Sequence, residues 1–115
     1  MTILNYLENL ITTRNIIRIV CGYYKVKVLQ LHKGTNRNKL NCESAKHAIR
    51  YYLFHLKRES KSDIAKIFKI KTNHTTIINS IKVWQGRLDI EDTETIKLDR
   101  KILKSLKNEK YEHIN

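Results

Sequence analysis

The sequence predicts an all-α fold, and three observations predict it. Proline is absent and glycine occurs only three times in 115 residues, so nothing in the chain favours tight hairpins or breaks helices. Ile, Leu and the charged residues recur every three or four positions rather than alternating, which is the period of amphipathic helices. At 41% hydrophobic content the chain is long enough for one domain with a modest core and too short to hold a second. The expected architecture is a compact multi-helix bundle: an N-terminal apolar helical segment over residues 1–13, a helical domain over 14–108 and a C-terminal tail over 109–115.

Each element has its own justification. Ile3, Leu4, Leu7, Leu10 and Ile11 share one helical face. Thr12 or Thr13 suits the N-cap of the next helix, "RNIIRIVCGYY", whose buried stripe is Ile16, Ile17, Val20 and Tyr24. "KVKVLQL" places Val26, Val28, Leu29 and Leu31 in an apolar turn or short helix. His32 to Asn41, with Gly34, three asparagines and three cations, reads as a basic loop. A central core helix follows, carrying Ala45, Ala48, Ile49, Tyr52, Leu53 and Leu56. Ser60 and Asp63 form a capping pattern ahead of "IAKIF", with Ile64, Ala65, Ile67 and Phe68 inward and Ala65 small enough for a close helix crossing. Another helix starts at Asn73, with Ile77, Ile81, Trp84 and Leu88 facing the core. The last carries Ile96, Leu98, Ile102, Leu103 and Leu106.

The charge is unevenly distributed. Of a formal +12, residues 14–87 hold 17 lysines and arginines against three acids (Glu43, Glu59 and Asp63), while the flanks hold slightly more acid than base. Such self-repulsion contributes nothing to folding, so a polyanion is the expected partner, nucleic acid before an acidic membrane or protein surface. No stretch is long and apolar enough to span a bilayer, no basic helix has the broad aromatic face of a membrane binder, and "MTILNYLENLI" has neither a basic start nor a small-residue cleavage site. The expected location is the cytoplasm, with nucleoid association.

One segment breaks the propensity rules. Asn73, His74, Thr75 and Thr76 open a helix although Asn, His and Thr are mediocre helix formers. Short polar side chains at a helix start let that end approach DNA, as in the second helix of a helix-turn-helix, whose N-terminal residues meet base edges in the major groove. Thr72, Asn73, His74, Thr75, Thr76 and Asn79 are the candidate base-reading residues. Hydroxyls and amides there suit base edges or phosphate, an Asn amide suits adenine, and a threonine methyl suits a thymine methyl. Lys61, Lys71 and Lys82 flank them as candidate phosphate contacts, and the positive end of the helix favours phosphate as well.

At these residues the chain resembles a known family. "ESKSDIAKIFKIKTNHTTIINSIKVW" is similar to the signature region of the C-terminal DNA-binding domain (domain IV) of the bacterial replication initiator DnaA, where an Arg-Asp-His-Thr-Thr-Val string follows Phe-Gly-Gly; Phe68 and His74-Thr75-Thr76-Ile77 carry the match. The likeness extends through "NIIRIVCGYYKVKVLQL", "SAKHAIRYYLFHL" and "DRKILKSL", roughly Arg14 to Lys107. The resemblance implies a Trp-repressor-like helix-turn-helix binding double-stranded DNA, with His74, Thr75 and Thr76 in the major groove. It also implies a basic minor-groove residue from the loop before the core helix, assigned to Arg37 with Lys33 and Lys39 beside it, and a phosphate contact at Lys46. This chain differs in having "KIKTN" where the family has Gly-Gly-Arg-Asp, one residue more, with Thr72 and Asn73 in the Arg and Asp places. Asp accepts from cytosine whereas Asn pairs with adenine, so a different site is expected. There is no phosphate-binding GxxxxGK[ST] loop, so an ATPase module is not expected.

The remaining features point to structure. Cys21 and Cys42 have no CxxC partner and read as buried free thiols; no histidine spacing suits a metal, and no cofactor is expected. Tyr23-Tyr24, Tyr51-Tyr52 and Trp84 sit at core positions. A metal-dependent nuclease needs clustered acids, which the basic segment lacks, so no enzyme activity is expected. The expected function is a small stand-alone regulator of transcription or replication; the alternative is a protein-interaction module that modulates an initiator or another partner, and the N-terminal segment is also a possible homodimer surface.

Overall fold

Thr12 lies in extended conformation and its hydroxyl accepts from the Asn15 amide at 3.1 Å, so the chain turns directly into helix α1, Thr13–Tyr24. The computed structural model describes residues 12–33, 39–68 and 72–114, with side chains for all of these except Lys33 and residues 109–114. The N-terminal apolar segment expected up to residue 11 lies outside them, as does the centre of the basic loop. Five further α-helices follow: α2 Val28–Lys33, α3 Lys39–His55, α4 Lys61–Ala65, α5 His74–Asp89 and α6 Thr93–Ile114. Among the described residues there is no strand. No described helix is long and apolar enough to cross a membrane.

The expected stripes are largely the observed core. Ile16, Val20, Leu31, Ala45, Ala48, Ile49, Leu53, Ile77, Trp84 and Ile102 are fully buried, with Tyr52, Ile64, Phe68 and Leu106 close behind. Helix α3 is the hub, packing against α1 on one side and α5 on another. Helix α6 returns across α1, where the Tyr23 hydroxyl lies 2.8 Å from Ser105 Oγ, and reaches α3 through a hydrogen bond from the Tyr52 hydroxyl to Asp99. The Cα radius of gyration is 14.0 Å, against about 13 Å expected for a folded chain of this length.

Several expectations are corrected. The basic loop is shorter than its composition suggests, because α2 runs to Lys33 and α3 starts at Lys39; Lys and Asn are tolerated in helical turns when the rest of the helix is packed. The apolar segment is a short helix that buries Leu31, with Val26 buried just before it, while Val28 and Leu29 are exposed at 39% and 58%. Leu103 is likewise 39% exposed, beside the buried Ile102. The sharp turns missing from a glycine-poor sequence exist nonetheless. Lys25 and Glu91 take left-handed conformations (φ 56° and 55°) after α1 and α5, and the following amides close back five residues, Val26 N–H to Cys21 O and Asp92 N–H to Arg87 O.

Candidate functional site

Helices α4 and α5 pack against each other and against α3. Ser60 Oγ accepts from the Asp63 amide at 3.1 Å and starts α4. Asn73 does the same for α5: its Oδ1 accepts from both the Thr76 amide (2.8 Å) and the Thr76 hydroxyl (3.0 Å). Both lone pairs of that oxygen are thereby occupied. A bidentate pairing with adenine requires it, so in this geometry Asn73 is the cap of α5. A second tie joins the two helices, Ser62 Oγ and His74 Nε2 lying 3.1 Å apart.

The rest of the first turns of α5 divide into two faces. His74, Thr75, Thr76 and Asn79 are exposed, and Lys82 continues the outer face one turn on. Ile77, Ser80 and Trp84 form the buried face at i, i+3 and i+7. Between the faces, Thr72, Thr76 and Asn79 line one wall of a polar cleft of about 400 Å³, whose other wall is Glu43, Lys46, His47 and Arg50 of α3. Four of the expected site residues therefore meet in this cleft: Thr72, Thr76, Asn79 and Lys46.

The floor of the cleft is a hydrogen-bonded series. Arg50 is 6% exposed, and its Nη1 donates to Ser80 Oγ at 2.7 Å; His47 Nδ1 lies 2.9 Å from the same oxygen. With a lone pair of Ser80 taken by the guanidinium, its proton fits His47 Nδ1, which leaves Nε2–H as the donor of a neutral ring. Burial first, then the charges of Arg87, Arg50 and Lys46 against the opposing Glu43, push His47 down to about 4. Burial and then Arg50 also push the Lys46 ammonium below its usual range, and burial lowers Arg50 itself. The Phe68 ring lies 5.7 Å from the Arg50 guanidinium carbon, and Arg87 Nη1 donates to Ser44 Oγ at 3.2 Å across the same pair of helices.

The other expected contacts are placed differently. Lys39 is exposed at the start of α3, and Lys61 is exposed at the start of α4 with its ammonium 5.9 Å from the Phe54 ring. Arg37 and Lys71 lie outside the described residues, and so does the side chain of Lys33. Sequence reasoning missed Arg50 and Ser80. The signals were there: Arg50 stands four residues after Lys46 and three after His47, on one helical face, and Ser80 interrupts the apolar stripe of Ile77 and Trp84. Among the described residues no three His, Cys, Asp or Glu side chains converge to hold a metal ion.

No protein-family model, curated protein or solved structure matches the chain.

Proposed function

We propose that this protein binds double-stranded DNA in a sequence-dependent manner, with α4 and α5 acting as a helix-turn-helix and the first turns of α5 entering the major groove. The observation that carries the reading is the composition of that helix start. His74, Thr75, Thr76 and Asn79 are exposed together at the end of a helix whose opposite face is buried, inside a segment with 17 cations and three acids. A merely solvated helix has no need of poor formers there, whereas a base-reading helix needs short polar groups and a positive surround.

In this reading His74, Thr75 and Asn79 meet base edges, and Thr76 stands at the boundary between bases and backbone. Lys46 and Lys82 take phosphates on either side, while Asn73 holds the helix start in shape. The likeness to the DnaA C-terminal domain supports the same assignment of His74, Thr75 and Thr76. The role that fits a small DNA-binding domain of this kind is regulation of transcription or replication.

Selection of bound duplexes from a random-sequence pool at physiological salt, followed by sequencing, tests this. One enriched motif is the expected result. Binding without a motif would reduce the activity to charge-driven association, and recovery of no DNA would sink the reading in favour of a protein-interaction module.

A further inference from the structure

Arg50 carries a charge that the fold does not need. Its guanidinium offers five N–H donors. One is used by Ser80, the Nε has no acceptor, and among the described residues no carboxylate pairs with it. Buried cations are ordinarily paired, because an unpaired one is strongly disfavoured by loss of hydration. An apolar side chain of similar length would fill the same space without that cost. Yet the residue lines an open cleft together with Lys46, His47 and three neutral hydrogen-bonding side chains from the other wall. Among the described residues Glu43, exposed at the rim, is the one acid lining it, against the charges of Lys46 and Arg50.

We propose that the cleft between α3 and α5 is a phosphate seat in which Arg50 is the pre-paid anchor, held in position by Ser80, and that its occupant is one phosphodiester of bound duplex. The last clause rests on the DNA reading above; the oxyanion site itself does not. Lys46 adds charge at the mouth, His47 presents its Nε2–H, and the Asn79 amide supplies a neutral donor, the Thr76 hydroxyl being already given to Asn73. A phosphate in this position lies beside the outer face of α5, so seating it sets the depth and angle at which His74 and Thr75 meet the bases. The anchor thus serves every sequence alike and sharpens specificity only by positioning.

The test compares wild type with Arg50→Met in two experiments. In the first, inorganic phosphate is titrated against chloride at matched ionic strength, following the Arg50 Nε–H resonance by NMR. Phosphate is expected to shift that resonance in the wild type where chloride does not; no phosphate-specific shift overturns the site. In the second, affinity for the selected duplex is measured across salt concentrations. Arg50→Met is expected to melt no lower than wild type, to bind about tenfold more weakly on cognate and scrambled duplexes alike, and to lose about one from the logarithmic salt slope. Wild-type affinity and slope in Arg50→Met overturn the anchor while leaving DNA binding intact. A phosphate shift in a protein that binds no duplex keeps the anchor, with free phosphate as its occupant, and removes the DNA reading. If Arg50→Met does not fold, Lys46→Gln at the cleft mouth is expected to show the same weaker affinity and smaller slope, and an unchanged slope there overturns the seat.

Discussion

The two ends of helix α5 are built from different materials. Toward its C-terminal end Trp84 is fully buried, with the rings of Tyr24, Tyr51 and Tyr52 at 6.4, 6.5 and 6.1 Å. Burial, opposed by Arg87 and helped by Asp92 and Glu94, pushes the Tyr24 hydroxyl up to about 12, and Tyr52 is raised further by burial and its bond to Asp99. The buried face of that end is aromatic. The N-terminal end is capped by a side chain, exposes hydroxyls, an amide and an imidazole, and borders a cleft floored by Arg50, His47 and Ser80. The difference teaches how one helix anchors itself and presents a surface at once. Stability is concentrated where aromatic area is removed from water, so the other end tolerates residues that are poor helix formers.

The comparison breaks most visibly at Trp84. Trp84→Ala is expected to cost about 3–5 kcal/mol in denaturant unfolding, since it empties the centre of the aromatic cluster. A loss under about 1 kcal/mol would mean that the cluster is not what holds α5.

Acidification acts on the opposite end. The unfolded chain protonates His47 near 6.5 and the folded protein only near about 4. The unfolded state therefore binds more protons in that window, and stability present above pH 6.5 is lost as pH falls toward about 4. The contribution, reduced by solvent screening of a partly exposed ring, is on the order of 1–2 kcal/mol. Urea unfolding at pH 7, 5 and 4 should show it, and His47→Gln should show a flatter profile than wild type.

His74→Ala and Thr75→Ala sharpen the contrast, because each should cost about 1–3 kcal/mol in binding the selected duplex and relax sequence preference. Their stability should stay within about 0.5 kcal/mol of wild type. Binding isotherms on cognate and point-substituted duplexes check the first statement and thermal melts the second. The smallest effect falls on the cap. Asn73→Ala should lose about 1 kcal/mol of stability and Asn73→Ser should recover most of it; equal loss of base preference in both variants would restore Asn73 as a reader of bases.

Much of the fold was legible because helical cores write themselves in three- and four-residue spacing. Ile16, Val20, Ala48, Ile49, Leu53, Ile77 and Trp84 all fall on stripes visible in the sequence, and the caps at Thr12, Ser60 and Asn73 are local contacts between residues three apart. The exposure of Val28, Leu29 and Leu103 was not legible, because hydrophobicity says what a side chain prefers, not whether a neighbour is close enough to cover it. At the site, the exposed start of α5 was readable from its poor helix formers. Its second wall was not, because Arg50 looked like one more cation in a basic segment.

The sequence by itself determined the all-helical class, the caps, most core stripes and the concentration of positive charge, since each follows from residues a few positions apart or from simple sums over the chain. Only the tertiary structure decided that Arg50 and His47 of α3 would share Ser80 of α5, thirty and thirty-three residues away. A periodic pattern tells which face of a helix is buried. The crossing of two helices decides what that face meets, and it is this crossing that turns a buried arginine, a neutral histidine and a serine into the floor of a cleft.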